Sequence, residues 1–456
     1  MKEPGCLGQR QIDKILSDLF PINRSLTGKG NRKTLNYLKD NLLPCAEIKK
    51  LKSGTKVFDW VVPPEWTVKD AFVKNKYGTK IIDYKKNNLH LVSYSEAFNG
   101  LLSEKELKKH LHTLPDYPDW IPYRTSYYKR AWGFCCSHNL LTNKEFVGPF
   151  EVSIETSFDE GGEMIWLEDV KIGKSQDEIL ISSYICHPSL ANDNLSGFVL
   201  ATLLFKFLKS IETRYTYRLV LVPETIGALA YLEKSDLTNT VGGMVLSCVG
   251  GPGNFSLKEG FNKDHWVNKA AHFALKEYLK EDYLVYPFEP EGSDERQYSS
   301  PAFRIVTPSI HKSKYYEYAE YHTSADNLDF ISALYIRDAF DVYRKWIDYL
   351  ESYCCPQRTM AQGEYQLGKH GLYPEIGGTL NQPAYSHKNN KKGKQLFFDK
   401  GIVLDKKILQ KIYWLMHLAD GKTSNFEIAE KSGGNLDDVN KAIAIMYQKK
   451  LVELDI

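Results

Sequence analysis

Residues 178–208 of the 456-residue chain have the sequence EILISSYICHPSLANDNLSGFVLATLLFKFL. Residues 178–185 form an apolar run of strand length, and residues 196–208 form an apolar run of helix length. Between the two runs lie His187 and Asp193, whose side chains can bind a metal or transfer a proton. A strand that leads through such side chains into a helix is typical of a ligand site in an α/β sheet.

Strands and helices continue to alternate after this segment. We predict strands at 217–222, 243–247 and 303–306, a helix from about 228, and another at 266–278. Near the amino terminus, apolar residues at helical spacing predict helices at 12–19 and 31–42. Together these elements predict an open mixed α/β sheet that is flanked by helices.

The stretch from about 57 to 128 has a different pattern, because short β-type runs are separated there by Pro, Gly and Asn. Strands are predicted at 57–62, 80–84 and 89–94. We interpret residues 56–129 as a small β-rich domain inserted into the α/β domain, which then comprises residues 1–55 and 130–360.

The remaining residues form two further parts. Residues 361–395 are rich in Gly, Pro, Asn and Lys and are predicted to be a linker. In the segment 396–456, helices are predicted at 405–418, 425–431 and 436–449, followed by a strand at 451–454. Three helices with a short middle one and a β tail favour a winged helix-turn-helix.

Composition and charge argue against several classes of protein. The chain is 43% hydrophobic and 25% charged, and its net charge of +2 gives no general attraction to nucleic acid or anionic membranes. The most apolar stretch, 197–208, contains Lys206 and is shorter than the ~20 apolar residues that span a bilayer. The eight cysteines form no C-x-x-C pair, and the first residues do not resemble a signal peptide, so we expect a cytoplasmic protein.

Reactive side chains follow several of the predicted strands. His187 follows the first strand, Glu224 the second and Cys248 the third, while Ser293-Asp294 and the segment 321–326 flank the fourth. In an open α/β sheet these strand ends meet at one edge. Catalytic zinc binds about three nitrogen or oxygen ligands, and a nearby carboxylate then takes a proton from water. His187, Asp193 and His322 fit the ligand role, and Glu224 fits that of the general base.

The same residues resemble a known family. The pattern of His187, Asp193-Asn194-x-Ser196-Gly197, Glu224-x-x-Gly227, Ser293-Asp294 and Tyr321-His322-Thr323 is similar to that of the zinc aminopeptidases, a family that also includes some carboxypeptidases and glutaminyl cyclases. The resemblance covers about residues 1–55 and 130–350 and implies a zinc-exopeptidase fold.

The whole layout also resembles a little-studied bacterial and archaeal group that has an aminopeptidase-like core, an inserted small domain and a C-terminal winged helix. The segments Pro-Ile-Asn-Arg-Ser-Leu-Thr-Gly at 21–28 and Tyr-His-Thr-Ser-Ala-Asp at 321–326 carry this second resemblance. Members of the group often lie among genes for surface-polysaccharide synthesis.

Two departures from the aminopeptidase pattern concern the number of metal ions. The family usually has two consecutive Glu residues where this chain has Glu224-Thr225, and an Asp where it has Cys248. We therefore expect one zinc per chain. Two alternatives stay open: Glu224 itself binds metal, or the Cys248 thiolate does, although Cys248 is also a typical small buried residue. Asp294 and Asp326 are expected to bind metal or to support the metal site.

The leading functional hypothesis is a zinc hydrolase that cleaves an amide bond in a small peptide or aminoacyl substrate. A second hypothesis is an amidohydrolase or deacylase of surface-polysaccharide or amino-sugar metabolism, which acts on an amino sugar or an acyl-amino substrate with the same metal and base. A third is a metal-stabilised binding or regulatory protein without catalysis, which acts through the winged helix. The side chains expected to shape the substrate pocket are Arg296, Tyr298, Tyr127, Tyr128 and Trp132.

The predicted winged helix has little charge with which to bind DNA. Residues 401–456 contain eight Lys and eight Asp or Glu, and the predicted recognition helix starts with Asp437-Asp438. Since phosphate contacts dominate DNA affinity, we expect this part to bind a protein partner or a second copy of the chain instead.

Overall fold

The computed structural model describes residues 8–280, 282–372, 398–399, 402–403 and 406–454. They separate into two compact units, one within the first 346 residues and one from Ile347 onward. The helices are α1 (Gln9–Leu19), α2 (Lys29–Asn41), α3 (Glu104–Leu107), α4 (Gly197–Leu208), α5 (Ile226–Lys234), α6 (Trp266–Leu279), α7 (Glu295–Tyr298), α8 (Ala333–Glu351), α9 (Lys406–Leu418), α10 (Asn425–Lys431) and α11 (Leu436–Gln448).

The strands fall into several small sheets and one larger one. They are β1 (Glu47–Lys52), β2 (Lys56–Val57), β3 (Trp60–Val61), β4 (Glu65–Lys74), β5 (Lys80–Asp83), β6 (Phe98–Leu102), β7 (Leu111–His112), β8 (Phe134–Cys135), β9 (Phe150–Asp159), β10 (Glu163–Lys171), β11 (Glu178–Tyr184), β12 (Thr216–Val222), β13 (Thr240–Val245), β14 (Phe255–Lys258), β15 (Leu284–Tyr286), β16 (Ser309–Lys312), β17 (Gln357–Arg358), β18 (Phe398–Asp399), β19 (Ile402–Val403) and β20 (Val452–Glu453).

The largest sheet has the strand order β1-β10-β12-β11-β13. The strands β11, β12 and β13 are parallel, whereas β1 and β10 are antiparallel to their neighbours. Every residue of β11 is buried, as expected for a central strand with both faces covered. The predicted open mixed sheet is confirmed.

Two helices connect the parallel strands and lie on opposite faces of this sheet. The connection through α4 leads from β11 to β12, and the connection through α5 leads back past β11 to β13. Since parallel connections are right-handed, two connections that run in opposite directions use opposite faces. Leu180, Val220 and Val222 lie in the same buried cluster as the apolar residues of α5. The crossing point leaves the carboxyl ends of β11 and β12 open to a ligand.

The β-rich stretch contains a four-stranded antiparallel sheet with the order β5-β4-β9-β6. Its central strands are long: nine residues of β4 pair with residues of β9, from Glu65 with Asp159 to Lys74 with Glu151. The sheet therefore extends to 159, beyond the limit at 129 that the sequence predicts for an inserted domain. The domain limits stay a prediction.

Two predicted strands do not form, and the strand predicted at 57–62 is divided between β2 and β3, which pair as a hairpin. Residues 303–306 are not a regular strand, although the carbonyls of Val306 and Pro308 accept hydrogen bonds from Gly243 and Val245 of β13. Pro308 has no N–H with which to continue such a ladder, so the regular strand β16 begins only after it. Residues 88–90 form a 3₁₀ turn where the sequence predicts a strand at 89–94, because the Asn87 side chain accepts the N–H of Leu89 and caps the turn.

In the second unit, α9, α10 and α11 lie within one or two residues of the predicted helices. The predicted strand at 451–454 corresponds to β20, which pairs with β17. The strand β17 lies in the segment 130–360, which the sequence assigns to the α/β domain. The winged helix itself stays a prediction, and residues 373–395 of the predicted linker lie outside the described residues. Within the described residues, no helix is long and apolar enough to cross a bilayer.

Candidate metal centre

Four of the predicted residues come together at the carboxyl edge of the large sheet. His187 follows β11, Asp193 lies in the helical turn 191–196 that precedes α4, Glu224 follows β12, and His322 comes from the loop after β16. The side chains of His187 and Asp193 are buried, while 35% of the surface of the His322 side chain is exposed. The centre is therefore anchored in the core and accessible from one side.

The distances between these side chains suit one metal ion. Asp193 Oδ2 lies 2.9 Å from His322 Nε2 and 3.8 Å from His187 Nε2. Ligand atoms about 2.1 Å from a tetrahedral zinc lie roughly 3.4 Å from one another. Both atoms are buried, and apart from each other they have no hydrogen-bond partner among the described residues. Two neighbouring buried polar atoms that have no other partner fit a shared cation.

The protonation states also suit a metal. Burial lowers the pKa of His187 to about 4, so its ring is neutral near pH 7, the form that binds metals. Burial alone raises the pKa of Asp193, but the neighbouring imidazoles of His187 and His322 outweigh this effect and lower the pKa to about 2. Two neutral imidazoles and one carboxylate are a common donor set for catalytic zinc.

Asp193 is held from two sides. The hydroxyl of Tyr184 donates a hydrogen bond of 2.5 Å to Asp193 Oδ1, which leaves Oδ2 for the imidazoles. The carboxylate of Asp326 accepts the N–H groups of Ala191, Asn192 and Asp193, and Tyr318 donates to it at 3.0 Å. Asp326 therefore lies behind the centre and fixes the loop that carries Asp193, as partners of metal ligands commonly do.

Glu224 lies beside the three candidate ligands. Its Oε2 lies 4.0 Å from His187 Nε2, and its side chain is 26% exposed. The next residue, Thr225, has φ 63° and ψ −78°, and the Ile226 N–H donates to the Glu224 carbonyl at 2.8 Å. This is a γ-turn with positive φ, a rare conformation that is strained for a β-branched residue. Such strain is found mainly at functional sites, where the surroundings hold it in place.

Asp294 and Arg296 maintain this turn. Asp294 Oδ1 accepts the Thr225 N–H at 2.7 Å, and Arg296 Nη2 donates to Thr225 Oγ1 at 3.2 Å. Burial, together with the carboxylates of Asp294 and Asp193, raises the pKa of Glu224 well above its usual range. Burial also raises the pKa of Asp294 to about 7. Asp294 thus contacts the turn that carries Glu224, and no hydrogen bond or ion pair joins it to His187, Asp193 or His322.

A cavity of about 300 Å³ opens in front of Glu224 and His322. Its walls include the rings of Tyr184, Tyr315, Tyr316 and Tyr321 and the charged side chains Glu291 and Arg296. The volume is at the lower end of the range for small-molecule sites, and the mixture of aromatic and charged groups is typical of them.

Comparison with known proteins assigns the chain to a family. A family model described as "Domain of unknown function (DUF4910)" matches residues 13–353. The chain belongs to the DUF4910 family. A Clostridium acetobutylicum protein, provisionally named a polysaccharide biosynthesis protein with an aminopeptidase-like domain, is 37% identical over 446 residues, which cover 97% of this chain and 96% of the relative.

The solved structures that resemble this DUF4910 protein include two from bacteria. One is the crystal structure of a C. acetobutylicum protein provisionally named a peptidase, with a TM-score of 0.84, 35% identity and coverage of 98% of this chain and 96% of the other. The second is a zinc aminopeptidase from Bacillus subtilis, with a TM-score of 0.52, 12% identity and coverage of 76% and 95%. At that identity the second match shows that the fold is shared.

The DUF4910 fold places the remaining predicted site residues differently. Arg296 lines the cavity, but Tyr298 is fully buried and its hydroxyl lies 2.7 Å from Ser182 Oγ, within the core. Tyr127 and Tyr128 line a separate cavity of about 240 Å³, and Trp132 stacks on the ring of His110. These four side chains do not line the cavity in front of Glu224. Cys248 is buried, with Sγ 4.0 Å from Asp193 Oδ1.

Three residues of the DUF4910 site are not identified by the sequence pattern. Tyr184 lies in an apolar strand run, where an aromatic side chain is typical of the core. Tyr123 lies in the predicted inserted domain, yet its N–H donates to the His322 carbonyl at 2.8 Å and its ring packs against the imidazoles of His187 and His322. Arg24 is fully buried and donates to the carbonyls of His187 and Leu19. Its place in the segment 21–28 is the only signal in the sequence.

Proposed function

We propose that this DUF4910 protein is a zinc-dependent hydrolase of the aminopeptidase type, which cleaves an amide bond in a small peptide or aminoacyl substrate. The observation that carries the proposal is the triangle of His187, Asp193 and His322 with Glu224 beside it. These three side chains would hold one zinc ion, which would supply a Lewis acid to polarise the carbonyl and to acidify a water.

The protein side chains then perform the proton transfers. Glu224 accepts a proton from the attacking water and donates it to the leaving amine, a role that needs its carboxylate at the open side of the centre. The γ-turn at Thr225 and its bonds to Asp294 and Arg296 keep Glu224 in that position. Tyr321 stacks on the His322 ring, with 3.9 Å between ring centroids, and limits its movement.

Zinc content and turnover test the proposal together. We expect about one zinc per chain by mass spectrometry of the metal, and its loss in His187→Ala and in His322→Ala. Glu224→Gln should keep the zinc and lose turnover of aminoacyl anilides by about 10²- to 10⁴-fold. The matched control is Glu277→Gln, which alters an exposed carboxylate of α6 and should keep both zinc and turnover. Full activity in Glu224→Gln would exclude Glu224 as the base.

A second candidate is an amidohydrolase that removes an acyl group from an amino sugar. The name of the 37% identical relative, a polysaccharide biosynthesis protein with an aminopeptidase-like domain, favours it. The four tyrosine rings of the cavity also suit a sugar ring. A panel that includes N-acetyl amino sugars beside aminoacyl anilides separates the two activities. If zinc is bound and no member of the panel is hydrolysed, a binding or regulatory role is favoured over hydrolysis.

A further inference from the structure

The first unit contains another cavity, which is larger than the one at the metal centre. It has a volume of about 660 Å³ and is lined by residues of the segment 20–33, of β4, and of the loop 84–88. Four lysines line it, and none of its lining residues is an Asp or Glu: the lysines are Lys29, Lys33, Lys85 and Lys86. Lys85 forms an ion pair with Asp70, which does not line the cavity. The cavity therefore carries a strong excess of positive charge, while the whole chain is nearly neutral.

The first residues of α2, Lys29 and Gly30, line this cavity together with Gly28, which precedes them. Gly28 precedes the helix, has φ 107° and forms no side-chain cap, so the first-turn N–H groups are not covered by a capping side chain. A Cβ at Gly30 would lie 1.8 Å from the Asn23 carbonyl, and one at Gly28 would lie 2.5 Å from that of Trp66. Only glycine permits this close packing of the helix start against its neighbours. The partial positive charge of a helix start adds to that of the lysines.

Ser25 provides an independent sign of a ligand. It lines the cavity, is 1% exposed, and its hydroxyl has no hydrogen-bond partner among the described residues. Its backbone is fixed on both sides by Asn31, whose Oδ1 accepts the Ser25 N–H and whose Nδ2 donates to the Ser25 carbonyl. A buried hydroxyl without a partner is costly, and a bound group normally satisfies it.

We propose that this cavity binds a phosphorylated small molecule, with the phosphate at the start of α2 near Ser25, Lys29 and Lys33. Helix N–H groups, a hydroxyl and lysine ammonium groups are the usual partners of a phosphate. The cavity is larger than a phosphate needs, and Ile22, Trp66 and Val68 supply an apolar wall for the remainder of the ligand. The segment 21–28, which has no role in the metal centre apart from Arg24, thus forms a second site.

This site lies next to the loops that carry the metal ligands. Ser189 and Ser324 both line the cavity, and each follows one of the histidines, His187 and His322, by two positions. None of the metal-binding side chains lines the cavity, so the phosphorylated molecule binds without touching the metal.

Calorimetry with inorganic pyrophosphate tests the proposal on the full chain at low ionic strength. We expect binding to the wild type, and about tenfold or greater weakening in the Lys29→Ala/Lys33→Ala variant, since both charges are lost from the site. The control Lys105→Ala/Lys109→Ala removes the same charge from exposed lysines of another surface and should bind as the wild type does. No binding to the wild type, or equal weakening in both double variants, would overturn the proposal.

Two single variants distinguish a specific site at the start of α2 from binding at the metal centre and from a diffuse attraction to lysines. Ser25→Ala should weaken binding about threefold to tenfold without lowering the melting temperature, since the hydroxyl has no protein partner to lose. His322→Ala should still bind pyrophosphate, whereas loss of binding there would mean that the anion occupies the metal centre. Unchanged binding in Ser25→Ala would show a diffuse attraction and would equally overturn the proposal.

Discussion

At the scale of single residues, the candidate centre depends on the two carboxylate oxygens of Asp193 having different partners. Tyr184 donates to Oδ1, whereas Oδ2 faces the imidazoles of His187 and His322. A hydrogen bond to one oxygen fixes the orientation of a carboxylate. Metal binding then costs less conformational entropy, because the ligand is already ordered. The Tyr184 hydroxyl is thus as much a part of the site as the ligands themselves.

Removal of this hydroxyl should weaken zinc binding. In Tyr184→Phe we expect the dissociation constant for zinc to rise about tenfold or more, measured by competition with a fluorescent chelator. The control is Tyr231→Phe, because the buried Tyr231 hydroxyl has no hydrogen-bond partner among the described residues. Equal zinc affinity in Tyr184→Phe and the wild type would show that Asp193 needs no such support.

Cys248 provides the test of whether sulfur belongs to the ligand set. Its Sγ lies 4.0 Å from Asp193 Oδ1, the oxygen bonded to Tyr184, and therefore away from the side that the imidazoles face. We expect Cys248→Ala to keep one zinc per chain and to lose about 1 kcal/mol of stability, the cost of a small cavity. Asp193→Ala should lose the zinc. Zinc loss in Cys248→Ala would make the thiolate a ligand.

The sequence predicts that His187, Asp193 and Glu224 lie at one sheet edge because the ends of the parallel strands β11 and β12 meet there. His322 is also at that edge, but it comes from the loop after β16, since the strand predicted at 303–306 does not form. The sequence does not predict the residues that hold these side chains in place. Tyr184 belongs to an apolar strand, and only the direction of its side chain shows that the hydroxyl reaches Asp193. Tyr298 lies four positions after Asp294, but α7 turns its ring towards Ser182 and the core.

At the scale of secondary structure elements, helix ends are predicted well where local side chains decide them. The helix α10 begins after Ser424, which forms a capping box with Glu427, and both signals are visible in the sequence. Strands are predicted less well, because a strand requires a partner far away in the chain. The segment 303–306 has a strand-like composition, yet Pro308 interrupts its ladder with β13.

The residue that caps the amino terminus of α6, His265, makes the stability of the protein depend on pH. His265 Nδ1 accepts the Val267 N–H, which requires an unprotonated nitrogen, and burial lowers the pKa of His265 from 6.5 to about 4. The unfolded chain thus takes up this proton at a higher pH than the folded chain. The stabilisation from this group is complete above pH 6.5 and decreases as the pH falls towards 4.

We expect His265→Asn to remove this dependence, because Asn caps helices well and does not titrate. Its melting temperature should fall less than that of the wild type between pH 7.5 and pH 5, with a difference in stability on the order of 1 kcal/mol at pH 5. His265→Ala, which loses the cap at every pH, serves as the control. If the melting temperatures of the wild type and of His265→Asn fall equally across this pH range, titration of His265 does not contribute to stability.

At the scale of the whole molecule, charge is distributed unevenly although the total is only +2. The first unit carries the lysine-lined cavity, whose lining contains no carboxylate. The segment 401–456 of the second unit is neutral in sum, with eight Lys and eight Asp or Glu. The two parts should therefore respond to anions in opposite ways: a small phosphorylated molecule finds a concentrated charge in the first, and a polyanion finds little in the second.

DNA binding tests this difference in charge between the two units. The helix α11, which we predict as the recognition helix, has Asp437 and Asp438 in its first turn, and Lys441 is paired with Asp438 at 3.8 Å. Lys411 is buried and donates to the Ser432 carbonyl, so it is not available to a phosphate. In fluorescence anisotropy with a 30-base-pair duplex at low salt, we expect no binding by the full chain tighter than about 10⁻⁵ M.

Two variants show which unit causes any weaker binding. Lys29→Ala/Lys33→Ala removes charge from the first unit, and any weaker binding should vanish in it. Asp437→Lys/Asp438→Lys adds charge to α11 and should gain salt-dependent affinity for DNA. Micromolar binding by the wild type that survives the lysine variant and weakens with salt would instead make the second unit a DNA-binding module.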